Sequence, residues 1–468
     1  MLVGGLAYAR VPRPSWVTAL GPLMAVRRAP WALGTGLAIA FVGLALLTWA
    51  WWELRSLVVG DPLGVGRVRL AAGAWSLPLL VAPPLFSGDG WSYVATGYLG
   101  GHGLSPYVWT PSVLPAALRS GVNAHWLHTP TPYGPLPIAW GGAVSQLTAD
   151  PWLLLVAYRV LALVGLGLVA WAAPRIARRC GLDPGAASWG AIASPFVIAH
   201  GVGGLHNDLL MAGLMLAALA VTHQDRWLLG AVLAGAAAAV KIPGGLIAVG
   251  VVLLSLAAGA SLVQRLRRTA AVGAVSAATL VGLGWVSGLG IGWVHALWVP
   301  LDERTRLSVV QLSGELVRRV LTDVVPAGPT LHGLVHPVRF AAELGALTVA
   351  VLAGWLLLRK RTGNEPRVLL GAAGLMFAAT LLSPVAHYWY ALWCLPLLAC
   401  VKLSRAQTAA MVAALTILGL TAMADPSLHV TWLSTATAVA LLLVPISTWI
   451  VVSVRQGSPQ REMTDLQA

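Results

Sequence analysis

Leu153-Leu-Leu-Val-Ala-Tyr-Arg-Val-Leu-Ala-Leu-Val-Gly-Leu-Gly-Leu-Val-Ala-Trp-Ala-Ala173 is an apolar run followed at once by Arg175, Arg178 and Arg179. A run of about 20 apolar residues is what a helix needs to cross a bilayer, and a basic cluster behind it marks the cytoplasmic end. The same figure recurs outward in both directions. Arg265/Arg267/Arg268, Arg359/Lys360/Arg361 and Lys402/Arg405 each follow another apolar run. The chain as a whole agrees: 58% of it is hydrophobic and 10% charged, with a mean hydropathy of +0.78, whereas a soluble domain carries roughly 25% charged residues. The net charge of +14 is therefore spent on short inter-span clusters, and no basic stripe remains for nucleic acid.

Working from these clusters places spans at residues 31–52, 68–86, 153–173, 187–202, 209–222, 228–240, 245–260, 270–288, 341–358, 368–385, 391–401, 409–424 and 432–452. The fold class expected is an all-α integral membrane protein with a bundle of about 13 transmembrane helices. Several of these runs are too short for a full crossing and are expected to be tilted, broken or half-inserted. Residues 1–455 read as one polytopic domain and 456–468 as a polar cytoplasmic tail. Alternation puts the long loops 87–135 and 289–339, with the short connections 204–208, 241–244, 387–390 and 425–431, on one extracytoplasmic side. The apolar stretch 136–147 lies in the interface or dips back out. Residues 1–9 are apolar but too short to cross, which suggests the distal half of a span that begins upstream. Cys180, Cys394 and Cys400 lack metal-ligand spacing and read as packing residues.

An ionisable group near hydrocarbon is a functional suspect, and the chain has 16 acids. Asp61, Asp183, Asp225 and Glu365 fall in polar connections; Asp150 precedes Pro151 as a helix cap. Glu53 falls at a span end and Glu462 and Asp465 in the tail; Asp302, Glu303, Glu315, Asp323 and Asp425 lie in external loops, several beside basic residues as in Asp302–Arg306, and Glu343 stands one turn from Arg339, so these read as ordinary pairs. Asp89 and Asp208 remain.

Asp89 follows Ala82-Pro-Pro-Leu-Phe-Ser-Gly88, where two prolines end the helix and hold the carboxylate at the water boundary. It caps the helix that Trp91, Tyr93 and Tyr98 continue, or it serves chemistry. The loop behind it is long, stiffened by proline and aromatic, which suits binding. His206-Asn-Asp208 is a cap and hydrogen-bonding cluster or a substrate-binding one. Lys241 either snorkels or holds a lipid-linked phosphate as a point charge. His387-Tyr-Trp-Tyr390 is an aromatic belt or a shelf for a sugar or lipid carrier.

Taken together, Ala82-Pro-Pro-Leu-Phe-Ser-Gly-Asp89, Ser105-Pro-Tyr107, Thr129-Pro-Thr-Pro-Tyr-Gly-Pro-Leu136, Gly204-Leu-His-Asn-Asp208 and Ser383-Pro-Val-Ala-His-Tyr-Trp-Tyr390 resemble the GT-C membrane glycosyltransferases. The narrower resemblance is to actinobacterial polyprenol-phosphomannose-dependent α-1,6-mannosyltransferases of lipomannan and lipoarabinomannan synthesis. The chain departs from that pattern at Gly88, where the family often has a basic residue, and at Asp208, where the family can have another acid. The resemblance implies a plasma-membrane enzyme with no cofactor and no metal. It implies transfer of mannose from polyprenyl-phosphomannose to a mannan glycolipid on the extracytoplasmic face, with inversion. Asp89 is then the expected base, better suited if burial raises its pKa. Tyr93, Tyr107, Tyr133, His206, Asn207, Asp208, Lys241, His387, Trp389 and Tyr390 are expected to bind donor or acceptor, with Lys241, His206 and His387 on the leaving phosphate. A relative that transfers polyprenyl-linked arabinose, a lipid-linked-oligosaccharide flippase or polymerase, and a polytopic lipid or sugar transporter are the rival readings.

Overall fold

The computed structural model describes residues 1–302, 305, 308–324, 337–359, 362–424 and 431–457, and among these every regular element is helical. Glu303, Arg306, Asp425 and the tail from residue 458 onward lie outside the described residues, so the expected Asp302–Arg306 pair does too. Five helices are long and apolar enough to cross a membrane: Ala32–Val58, Pro151–Arg179, Leu262–Val286, Pro337–Leu358 and Trp432–Val452. A sixth results if Val197–Gly203 and Asp208–Val221, bent by 114° at their break, count as one span. The other expected crossings are shorter or interrupted helices, among them Trp227–Val240, Ala248–Leu254 and Arg405–Leu420.

Local chemistry explains where the helices begin and break. Asp150 accepts hydrogen bonds from the amides of Trp152 and Leu153 and so caps Pro151–Arg179, with Pro151 in the first turn where its missing N–H costs nothing. Ser261 with Gln264, and Ser404 with Gln407, form reciprocal capping boxes at the starts of Leu262–Val286 and Arg405–Leu420. Breaks fall at Pro83-Pro84, at the glycines before Leu205 and at Pro243-Gly-Gly245. A broken helix is tolerated at membrane depth only where protein satisfies its freed backbone groups.

Pro151–Arg179 is the central helix. It packs on Asp208–Val221, which packs on Trp227–Val240, which in turn packs on Leu262–Val286. Outer helices are two-faced. On Ala32–Val58, Ala40, Leu44, Leu47, Trp51 and Leu54 are buried while Phe41, Val42, Leu46 and Trp49 are exposed. An apolar outer face of this kind suits lipid, not water. Trp51 and Trp189 join this helix to Pro184–Ile192: their rings stack at 4.1 Å, and each indole donates to the other's carbonyl.

The stretch 136–147 is the short helix Pro135–Ser145, laid against Asp89–Gly101. Their contact is built from glycines. A Cβ on Gly97 would meet the Tyr158 hydroxyl at 2.4 Å and the Gly141 Cα at 2.8 Å, so only glycine lets the two backbones approach. Residues 1–9 form the helix Leu2–Tyr8 against Ala32–Val58, with Gly4 beside Gly36 and Ala40. All three cysteines are free and buried, as packing residues would be.

Candidate active site

Asp89 is the first residue of the helix Asp89–Gly101, whose cap position is Gly88 without a side-chain bond. The capping role allowed by the sequence is therefore not what this carboxylate does. It is 8% exposed, accepts a hydrogen bond from the Tyr133 hydroxyl at 3.4 Å, and has the His206 Nδ1 at 3.7 Å. Tyr93, one turn further on, donates to the Tyr133 hydroxyl at 3.4 Å with its ring edge-on at 4.9 Å. The two phenols and the carboxylate make one short chain.

Tyr133 is held from several sides. The Tyr107 hydroxyl donates to its carbonyl at 3.1 Å, the Thr131 amide donates to the Pro106 carbonyl at 3.1 Å, and the Gly134 amide donates to the Val240 carbonyl at 3.0 Å. A Cβ on Gly134 would lie 2.2 Å from the Ala239 carbonyl oxygen. Glycine is thus what lets this loop dock on the end of Trp227–Val240 beside Lys241. Tyr107 serves from behind: its ring packs with Ile138, Leu289 and Ala296, away from the carboxylate.

The second half of the site surrounds Asp208. Its Oδ1 accepts from Lys241 Nζ at 3.1 Å and from the Trp393 indole at 2.5 Å. The Lys241 ammonium also stands over the Tyr390 ring at 3.8 Å, with Trp393 at 5.2 Å and Tyr133 at 5.6 Å. Lysine here does not snorkel; it is buried, paired and enclosed by aromatic faces. Trp389 lies between two imidazoles, His206 at 4.0 Å and His387 at 4.3 Å, all nearly parallel.

Asn207 occupies the cap position of Asp208–Val221 without a side-chain capping bond. Both ring nitrogens of His206, the Asn207 amide nitrogen and the Asp208 Oδ2 are buried without a hydrogen-bond partner. Buried polar atoms are nearly always satisfied, so unused hydrogen-bonding capacity concentrated on three consecutive residues is unusual. Among the described residues no group of three or more His, Cys, Asp and Glu could hold a metal ion.

Burial pushes the Asp89 carboxyl up, but His206, His387 and Lys241 outweigh it and hold the group below its ordinary value. This reverses the expectation that burial would raise it, because the sequence does not reveal how many positive or polarisable neighbours converge. Lys241 is likewise pushed down by burial and drawn up further by Asp208 and Tyr390, so its charge is retained.

The structure thus gathers Asp89, Tyr93, Tyr133, His206, Asn207, Asp208, Lys241, His387, Trp389 and Tyr390 at one end of the bundle, with Tyr107 as a support. Two residues were missed. Trp393 sits one turn beyond Tyr390 and bonds Asp208. Arg159, fully buried, donates to the carbonyls of Ala82, Pro83 and Gly203; the charge test applied to the acids would have found it.

The chain matches three family models. "Alpha-(1->6)-mannopyranosyltransferase, N-terminal domain" covers residues 1–258, "MptB C-terminal domain" covers residues 331–452, and "Glycosyltransferase family 87" covers residues 135–384. Alpha-(1->6)-mannopyranosyltransferase A of Mycobacterium tuberculosis is 31% identical over 391 residues, covering 80% of this chain and 73% of that protein. A second alpha-(1->6)-mannopyranosyltransferase of M. tuberculosis is 30% identical over 416 residues, 76% of this chain and 69% of its own length. Alpha-(1->6)-mannopyranosyltransferase A of Corynebacterium glutamicum is 28% identical over 384 residues, 77% of each chain. No solved structure matches. A family model over more than half of the chain, and relatives of 30% and 31% identity over 76% and 80% of it, make this helical membrane protein a member of the alpha-(1->6)-mannopyranosyltransferase family of glycosyltransferases.

Proposed function

We propose that this enzyme moves mannose from polyprenyl-phosphomannose to the 6-hydroxyl of an α-1,6-mannan glycolipid of the lipomannan type, at the extracytoplasmic face of the plasma membrane. The observation that carries the reading is a buried cluster in which Asp89 lies 3.7 Å from His206 while the Lys241 ammonium stands nearby, paired with Asp208 at 3.1 Å. The bundle, residues 1–455, is of the GT-C type in this reading, with the loop 87–135 closing over the site.

The chemistry needs few parts. The acceptor O6 attacks the anomeric carbon as its proton passes to the Asp89 carboxylate; the bond from that carbon to the phosphate oxygen breaks, and polyprenyl phosphate leaves with inversion. A carboxylate held below its ordinary pKa is ionised at neutral pH and so free to accept the proton, though it is a weaker base than one whose pKa burial had raised. The leaving phosphate gathers negative charge and calls for donors, which Lys241, His206 and His387 supply. Lys241 gives one of its three donors to Asp208, leaving others for a phosphate oxygen. The His206–Trp389–His387 stack covers the faces of Trp389, so a sugar ring in this reading lies against the edge of the stack beside His387 and Tyr390. No step requires a metal or a nucleotide.

The test is a membrane assay with radiolabelled polyprenyl-phosphomannose and short α-1,6-mannooligosaccharides. Asp89→Asn is expected to lower transfer by about 10²–10⁴-fold, the usual contribution of a general base, and a chelator is expected to change nothing. Undiminished transfer by Asp89→Asn would remove Asp89 as base. A parallel arm with polyprenyl-phosphoarabinose reads the pentose alternative, and uptake of free sugar into vesicles without transfer would favour a transporter.

A further inference from the structure

Arg159 lies eight residues beyond the start of Pro151–Arg179, about 12 Å along the axis at 1.5 Å per residue. It is 0% exposed. Its guanidinium makes three hydrogen bonds, all to backbone carbonyls: Nη1 to Gly203 at 3.0 Å, and Nη2 to Ala82 and to Pro83, each at 3.1 Å. No carboxylate is among these partners. A buried cation without a counter-anion is costly, and an apolar side chain would avoid that cost if the position only had to be filled.

What the arginine accomplishes is visible in the chains it joins. One is the non-helical strip through Pro83-Pro84, whose prolines bring no N–H of their own; six residues past Pro83 stands Asp89. The other is the turn that ends in Leu205, which has a φ of 60°, outside the range non-glycine residues prefer; three residues past Gly203 stands His206. The Gly203 carbonyl takes a second bond, from the Leu85 amide at 3.0 Å. Both strips therefore converge on one carbonyl and one guanidinium. A planar fork with diverging donors can bridge two chains in fixed geometry, which a lysine's point-like ammonium cannot reproduce.

We propose that Arg159 is a positioning residue, a clamp that holds the Asp89 segment against the His206 segment and so sets the 3.7 Å approach between the two side chains. The inference rests on the reading of Asp89 as base. Displacing a reacting group by an ångström costs up to roughly 100-fold in rate, and Arg159, fully buried with its bonds on backbone carbonyls, would act on that distance through the two strips.

The experiment uses the full-length protein in lipid nanodiscs and measures kcat, KM for donor and acceptor, and melting temperature for wild type, Arg159→Lys, Arg159→Met and Asp89→Asn. Arg159→Lys is expected to lower kcat about ten-fold or more while both KM values stay within about two-fold and the melting temperature is held. Arg159→Met strands the three carbonyls and is expected to melt earlier; if it does not fold, the lysine variant carries the test. Wild-type kcat in Arg159→Lys overturns the clamp, and so does a loss in which kcat, KM and melting temperature worsen in step, which is plain loss of packing. Full activity in Asp89→Asn together with a slow Arg159→Lys defeats the base reading and not the clamp; a slow Asp89→Asn with a normal Arg159→Lys defeats the clamp alone.

Discussion

The Asp208 carboxylate, 0% exposed, is the counter-charge of the buried Lys241 ammonium, which also faces the Tyr390, Trp393 and Tyr133 rings, so the two residues stand or fall together. Asp208→Asn leaves the ammonium buried without a counter-charge and is expected to destabilise the fold by about 3 kcal/mol. Asp208→Leu combined with Lys241→Met removes both charges and is expected to recover most of that loss while abolishing transfer. Thermal melting in detergent reads both; a double variant that melts as early as Asp208→Asn would contradict the expected recovery. His387 gives a pH signature at the same scale. Burial, helped by Lys241 and His206 and opposed by Asp89, lowers its pKa from 6.5 to about 4. Between those values the unfolded chain binds a proton that the folded chain refuses, so stability is complete above pH 6.5 and falls as pH drops toward about 4. The melting temperature of His387→Phe is expected to decline less than wild type across that window, and parallel curves would contradict it. Most of these residues were legible singly, because charged and imidazole groups are conspicuous in an apolar chain. Their partners were not: that Asp208 answers to Lys241 and Trp393, and not to its own helix terminus, depends on helices that meet only in space.

Among the elements, the helix Asp89–Gly101 owes its place to glycines on the face turned toward Pro135–Ser145 and Tyr158. Gly97→Leu would drive a side chain into the Tyr158 hydroxyl and the Gly141 backbone, forcing the helix away from its neighbour. The expected result is a lower yield of folded protein and at least a ten-fold loss of transfer, since Asp89 and Tyr93 ride on this helix; about 1.4 kcal/mol of lost transition-state stabilisation suffices for that. Wild-type yield and rate in Gly97→Leu would show that the contact is dispensable. Expected spans and observed helices diverge at this scale for a definable reason. Hydropathy registers how long an apolar run is, but the backbone breaks inside one expected span at Pro195 and between others at Gly203-Gly204 and Pro243-Gly-Gly245, and the pieces on either side of 204–207 are set at 114°. Whether such a break kinks a span or ends it is decided by which carbonyls find donors elsewhere, as Gly203 does in Leu85 and Arg159.

For the whole molecule, Arg159 near the start of the central helix bonds the strips that lead to Asp89 and His206, whereas Arg178 and Arg179 close that helix at its other end. Basic clusters stay in the cytoplasm, so the site is expected to face out. Trp109→Cys, at an exposed position in the loop behind Asp89, is expected to react with a membrane-impermeant maleimide in intact cells, whereas Arg178→Cys reacts only after permeabilisation. The native cysteines are buried and leave the background low. The reverse labelling pattern would turn the proposed active site to the cytoplasm.

By itself the sequence determined the solvent and the family: apolar runs, basic clusters between them and a handful of polar motifs require a membrane-embedded helical protein, because lipid tolerates backbone only when it is internally hydrogen-bonded. Only the tertiary structure decided the state of the charges. Asp89 sits below its ordinary pKa because three groups from distant segments, at 206, 241 and 387, converge on it. Arg159 is tolerated because two broken strips bring it three carbonyls. Electrostatic interactions fall off over a few ångströms of protein interior and depend on what lies there, and that is a property of folded distance, which no spacing along the chain encodes.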